Sequence, residues 1–396
     1  MPTPPGTNAE VPLAACLSSR SDAVGDGLDA MERRVEDKQD RLARAGADAP
    51  LRRVSRMTKR PLDGARILVI GIGFYDYETV IAAELRRLGA EVLSDIESAP
   101  EARDRFAPLR SRIAPVTAAD HARHHERILQ RARHFGQIDH VVVINGRLLS
   151  EAFVTRLRTA QPQAKFTIYL WDSLSRFPDL ADRFDLFDRA LTFDPADAAA
   201  VPSLLFRPTF YRPELLAASP AAPVDLCFVG WLHHDRMKQV ESLRAQADAL
   251  GLQAFFYLYT GLATGLRMLA QRRNRDVHVR TLPFERYASR VAATRILIDL
   301  PHPMQTGLTM RAADAVGVGC KLLTTARGVT AYDFYRPENV AVIDDAAPVL
   351  DPAFLAVPPV ALPPEMTTRY SLKEWALDIL GVTEPSGFLA NNYGRT

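Results

Sequence analysis

Residues 66–73 read RILVIGIG: five residues, four of them apolar, that stop at a glycine. They are followed by apolar positions at Val80, Ile81, Leu85 and Leu88, ending at Gly89. The first run has the continuous apolarity of a strand buried on both faces, and the second has helical spacing. Strand, glycine turn and helix in that order form the unit from which doubly wound α/β folds are built. The unit recurs. Residues 91–93 give a second β-like piece, 118–135 a polar helical region, 140–144 (HVVVI) and 166–170 (FTIYL) further apolar runs with a helix at 151–158 between them, and 189–193 (RALTF) a closing strand.

Residues 206–223, FRPTFYRPELLAASPAAP, are dense in proline and carry neither period, so they read as a linker. The alternation then restarts. Strands are expected at 225–229 (DLCFV), 254–258 (AFFYL), 296–300 (ILIDL), 321–324 (KLLT) and 340–343 (VAVI). Helices are expected near 236–250, 265–273, 285–293 and 308–316, and a last helix at 372–380 follows a proline-rich crossing at 357–364. The fold class expected is α/β, two Rossmann-like domains in tandem at 64–205 and 224–356, with a crossing segment and tail at 357–396. Residues 1–63 are expected to form a disordered or partly helical extension, with one helix near 29–45. Its basic stretch 51–60 reads as a solvated linker and also suits peripheral contact with anionic inner-membrane lipid. No internal repeat is visible.

Length and composition agree with this picture. A chain of 396 residues exceeds one ordinary core, and 47% hydrophobic with 24% charged residues is the make-up of a globular protein. The 49 basic and 47 acidic residues leave a net charge of +2, which supplies no field for nucleic acid. Three widely spaced cysteines argue against a disulfide framework or a cysteine-rich zinc site and fit a reducing cytoplasm. Neither a signal peptide nor an 18-residue apolar span is apparent.

The candidate chemistry lies where strands end. After the first strand come Gly71, Gly73, Tyr75 and Asp76, but the third glycine of a dinucleotide fingerprint is replaced by Asp76. The glycines would let a ligand approach the backbone, or simply allow a tight turn. Trp171-Asp172-Ser173 follows the strand at 166–170; Asp172 is a candidate general base, with a helix cap as the alternative. His233, Asp235 and Arg236 open a helix after the strand at 225–229, an outline suited to a diphosphate. The adjacent pair His233-His234 lacks a third partner for a metal. A dense block from Asp299 to Asp314 holds His302, Gln305, Thr306, Gly307, Thr309, Arg311 and Asp314. Its helix start would meet phosphate, and a carboxylate one turn further in would accept hydrogen bonds from ribose. The rival is an internal Arg311–Asp314 ion pair. No Asp-x-Asp pair occurs in the chain, so neither metal nor cofactor is expected, and His233, Arg236, Arg311 and Lys321 are the available cations.

Five blocks in order, YLWDSLSRF (169–177), FDRALTFDPAD (187–197), FVGWLHHDR (228–236), QTGLTMRAADAVGVGCKLLTT (305–325) and YDFYRPENVAVID (332–344), resemble a family of bacterial lipopolysaccharide and capsular polysaccharide biosynthesis glycosyltransferases of GT-B-like architecture. The resemblance covers residues 66–344. It implies a nucleotide-sugar donor held mainly by the second domain and a glycan or lipid-linked glycan acceptor held by the first. One departure is Asp314, where a glutamate commonly binds the donor ribose. The rivals are a nucleotide-dependent oxidoreductase, disfavoured by the broken glycine fingerprint, and a catalytically silent binding protein of the same shape.

Overall fold

Among the described residues twelve strands form two parallel sheets of six, in the orders β2-β1-β3-β4-β5-β6 and β12-β11-β10-β7-β8-β9. The computed structural model describes residues 60–102, 115–232, 236–261, 264–265, 268, 276–302, 304–385 and 387–389. The expected helix near 29–45, the basic stretch apart from Arg60, and most of the helix near 265–273 lie outside them. The first sheet comprises β1 (Arg66–Gly71), β2 (Glu91–Ile96), β3 (His140–Ile144), β4 (Lys165–Leu170), β5 (Arg189–Thr192) and β6 (Leu204–Phe206). Its helices are α1 (Tyr77–Arg87), α2 (Ala118–Phe135), α3 (Glu151–Ala160) and α4 (Pro195–Ala200). The second comprises β7 (Val224–Trp231), β8 (Ala254–Tyr259), β9 (Val277–His278), β10 (Thr294–Asp299), β11 (Lys321–Thr324) and β12 (Val340–Val342). Its helices include α6 (Arg236–Ala249), α7 (Phe284–Val291) and α8 (Met310–Val318), preceded in the chain by α5 (Pro213–Leu216) and followed by α9 (Pro352–Ala356), α10 (Pro364–Arg369) and α11 (Leu372–Ile379).

The twin Rossmann-like α/β organisation expected from the sequence is what the structure shows. Burial explains why its strands are so apolar. Ile67 and Val69 of β1 pack on one face with α1, while Leu68 and Ile70 pack on the other with α2 and α3. The second sheet is likewise covered on both faces. Caps fix several helix starts. Thr117 and Asp120 form a capping box at α2, and Ser150, Asp194 and Thr309 accept first-turn N–H groups at α3, α4 and α8.

The structure departs from the sequence reading at two places and adds a strand at a third. RALTF does not close the first sheet, because β6 adds an edge strand only three residues long, too short to carry a period. A two-residue strand, β9, likewise extends the second sheet. The proline-rich stretch 206–223 is not a bare linker. Phe210, Tyr211 and Arg212 are buried, α5 lies within it, and Tyr211 exchanges backbone hydrogen bonds with Tyr370 and Leu372.

Through that exchange α11 returns to the first sheet. Leu372, Trp375, Ala376 and Ile379 join the core of β1 and α1, and Trp375 meets Tyr169 and Phe210 with ring centroids 5.0 and 4.7 Å apart. Arg207 anchors the arrangement. It is fully buried, pairs with Asp378 of α11 at 2.6 Å, and donates to the carbonyls of Pro208 and Arg369. A buried ion pair is costly to break from one side, because the surviving charge is left without water. Arg207→Met is therefore expected to lower unfolding free energy by about 3–5 kcal/mol in denaturant titration, and Arg207→Met with Asp378→Leu to recover most of that loss. Equal destabilisation in the single and double variants would contradict it.

Candidate functional site

The carboxyl-terminal ends of the two sheets bound a cleft of about 720 Å³. In an open parallel sheet, strands on either side of the point where chain order reverses send their loops apart and leave a crevice. The second sheet reverses between β7 and β10, and the first between β1 and β3. Residues after β1, β7 and β10 all line the cleft, with Trp171 and Asp172 contributed by the end of β4.

The second-sheet wall is cationic. Arg311, in the first turn of α8, pairs with the fully buried Asp299 at 3.0 Å and donates to Val229 O at 3.2 Å. Thr309 donates to the same carboxylate at 2.7 Å. Burial opposes the charge on Arg311, but Asp299 and the tyrosines Tyr287 and Tyr259 outweigh it and hold the guanidinium above its ordinary value. The rival reading, an internal Arg311–Asp314 ion pair, is thus replaced by a pair that reaches back to β10. Arg236, at the start of α6, donates to the carbonyls of Trp231 and Leu300 and lies over the Phe228 ring at 5.8 Å. Among the described residues no carboxylate lies within ion-pair distance of it. Burial and the neighbouring Arg311 lower its pKa to about 10.

Asp314 sits one turn further into α8, buried, accepting a 2.6 Å hydrogen bond from Tyr287. Burial raises its carboxyl to about 7, against the pull of Tyr287, Arg311 and Arg212. Arg212, from the proline-rich stretch, closes the floor. It is paired with Asp76 at 2.6 and 3.1 Å and lies over the Phe284 ring at 3.7 Å. The His302 imidazole, held below its usual value by burial and by Arg176 and Arg236, accepts the Met304 N–H.

On the first-sheet wall, Asp172 receives Arg176 at 2.7 Å and Asn145 Nδ2 at 2.8 Å. Asn145 also takes the N–H groups of Trp171 and Asp172 on its Oδ1. Asp172 does not cap a helix, since the next helical turn, Pro178–Leu186, begins beyond Phe177. It faces the cleft with its side chain about one quarter exposed. The non-glycine residues with positive φ among those described are Tyr75 and Asn145, the first lining this wall and the second bonded to it. Such backbone is kept only where its surroundings hold it.

Of the residues singled out from the sequence, Tyr75, Trp171, Asp172, Arg236, His302, Gln305, Thr309, Arg311 and Asp314 line the cleft. His233 and Asp235 lie outside the described residues. The others have different tasks. A Cβ on Gly71 would fall 2.1 Å from Glu78, whose carboxylate also accepts the Gly73 N–H; the space beside these glycines is filled by the protein's own side chain. Ser173 and Thr306 both donate to buried Asp194, which also caps α4, so these hydroxyls join the two walls to each other. Gly307 lies flat on Phe193, where a Cβ would meet a carbonyl at 2.6 Å. Lys321 begins β11, at the edge of the sheet opposite the cleft, and donates to the carbonyls of Phe354 and Val357. Sequence reading missed Arg212, Arg176, Asn145 and Tyr287. Only Asn145 carried a signal, the Asn-Gly pair directly after a strand.

Among the described residues no cluster of three His, Cys, Asp or Glu side chains is placed to hold a metal, and no helix is long and apolar enough to cross a membrane.

No protein-family model and no curated protein matches the chain. Among solved structures it is similar to a UDP-N-acetylglucosamine 2-epimerase (TM-score 0.44, 11% identity, 83% of this chain and 100% of that one). It is similar too to the UDP-GlcNAc 2-epimerase of Methanocaldococcus jannaschii (0.46, 8%, 80% and 99%). A glycosyl transferase family 9 protein from Veillonella parvula scores 0.32 at 11% identity over 81% and 99%. Identities this low leave function to the residues of the cleft.

The sign of the Asp314 shift is testable. A carboxyl whose folded pKa is about 7, above the unfolded value near 3.9, contributes stability that is fully present below about pH 4 and lost as pH rises through about 7. Melting temperatures of the wild type should therefore fall relative to Asp314→Asn between those limits. Parallel curves would place the carboxyl's titration elsewhere.

Proposed function

We propose that this chain is a glycosyltransferase that takes a nucleotide-activated sugar in the cleft and transfers it to a cell-surface glycan. The observation that carries the reading is the charge of the second-sheet wall. Arg311 stands close enough to Arg236 to disfavour its charge, Asp299 neutralises Arg311, and the hydrogen bonds of Arg236 go to carbonyls. An anion between them relieves that excess, and the α8 N-terminus beside them adds its dipole. A diphosphate suits this place. Asp314, ionised, accepts from ribose hydroxyls one turn deeper, and Tyr287 orients it. The cell-surface acceptor rests on the resemblance of the five sequence blocks, a cytoplasmic site of action on the three widely spaced cysteines, and peripheral contact at the inner membrane on the basic stretch 51–60.

Transfer then needs a base opposite the cations. In this reading Asp172 takes the proton of the acceptor hydroxyl, the hydroxyl oxygen bonds to the anomeric carbon, and the bond from that carbon to the diphosphate breaks with its electron pair leaving on phosphate. Arg236 and Arg311 neutralise the charge that develops there. Arg176 and Asn145 hold Asp172 in place.

Incubation with a panel of nucleotide sugars should release free nucleotide. Release should persist in EDTA, since arginines replace the metal that an Asp-x-Asp pair would hold. Asp172→Asn should lower single-turnover rate about 100-fold or more while nucleotide affinity is kept. Conversion of the sugar without nucleotide release would instead make the protein an epimerase. Binding with no turnover would make it a silent relative.

A further inference from the structure

Among the described residues three aromatic side chains are exposed on the surface: Phe74 at 47%, Tyr75 at 48% and Trp231 at 44%. All three stand at the cleft. Every other described Phe, Tyr and Trp is buried or half-buried. They are also joined. Phe74 meets Tyr75 edge to face with centroids 4.4 Å apart, Tyr75 meets Tyr259 at 6.4 Å with their hydroxyls hydrogen-bonded, and Tyr259 meets Trp231 at 5.4 Å. The row therefore crosses from the β1–α1 loop to the ends of β7 and β8. Tyr75 is held in the left-handed region, φ 55°, which a bulky side chain rarely adopts. Packing within the protein does not account for rings left half in water at the price of backbone strain.

We propose that this row is a carbohydrate subsite, a stacking platform for a pyranose ring of the glycan acceptor, with Phe74 and Trp231 as its faces. The chemistry selects a sugar. A pyranose offers an apolar C–H face and a rim of hydroxyls, and the row offers apolar faces interrupted by the Tyr75 and Tyr259 hydroxyls, with Asp172 and Arg176 on the same wall. An isoprenyl chain would need a trough without those polar interruptions. A nucleobase could stack on such faces as well, but its diphosphate is placed by Arg236 and Arg311 and its ribose by Asp314, deeper on the second wall. The inference deepens the transferase reading by naming the acceptor subsite, and it rests on that reading for the word acceptor and for the place given to the donor.

Saturation-transfer NMR on the full chain tests it, with the methyl glycosides of glucose, galactose, mannose, rhamnose and N-acetylglucosamine as probes and citronellyl phosphate as the isoprenyl probe. Transfer to the ring C–H protons of at least one glycoside is expected. Phe74→Ala and Trp231→Ala should each weaken it about tenfold, the effect of ~50 Å² of ring face left without its partner. Trp231→Phe should restore most of it, which separates the missing ring from a misfolded variant. No glycoside signal, or one that both alanine variants keep, overturns the proposal. So does citronellyl phosphate displacing the glycoside from the same rings. Titration of the same samples with UDP, GDP, CDP and ADP reports separately on the reading beneath it. Glycoside binding without nucleotide binding leaves the platform standing and removes the transferase assignment, and nucleotide binding without glycoside binding does the reverse.

Discussion

Arg207, with no exposure to solvent, is tied to Asp378 across 171 positions of sequence. That pair draws α11 back onto the first sheet, where Trp375 fills the space between Tyr169 and Phe210. Phe210 and Arg212 are carried into place by the same stretch of chain, and Arg212 then reaches Asp76 on one side and the Phe284 ring on the other. Asp194 makes a second tie, collecting Ser173 from the end of β4 and Thr306 from the loop before α8. Buried Asp194 thus ties the end of β4 to the loop before α8. Desolvation makes such ties specific even where it takes back most of their energy.

Within that frame the electrostatics are lopsided. Asp299 sits at the end of a central strand and gathers Arg311 and Thr309, which spends the wall's strongest carboxylate on the protein's own cation. Arg236 is left with backbone carbonyls, and Asp314 with a carboxyl lifted to about 7 by burial. Opposite them Asp172 is held by an arginine and an asparagine at a strand end. Two arginines on one wall thus face a carboxylate on the other, and a row of exposed rings lines the same cleft.

Much of this was legible in the chain because strands buried on both faces have no choice but to be apolar throughout. HVVVI and KLLT are matched by strands with the same limits, and the helix expected at 118–135 occupies those residues. Strands of two and three residues, β9 and β6, fall below any period and were not. Hydroxyl-bearing loops mislead for a different reason. Ser173 and Thr306 have the composition of ligand donors, but a buried Asp194 recruits the same groups, and no spacing distinguishes the two. Lys321 could have been excluded from direction alone, since the first residue of a parallel strand lies at the edge away from the cleft. Arg212 gave no signal among the prolines because its partners, Asp76 and Phe284, are remote in sequence.

The central claim is that the Arg236–Arg311 wall takes a diphosphate. Calorimetric titration of the wild type and of Arg236→Gln with UDP, GDP, CDP and ADP addresses it most directly, because Arg236 has no carboxylate partner among the described residues to be orphaned by the change. The account predicts that at least one nucleotide binds and that the substitution weakens it by about 1.5–3 kcal/mol, the value of a charge-assisted hydrogen bond. Binding of equal strength in both proteins, or to neither, would contradict it.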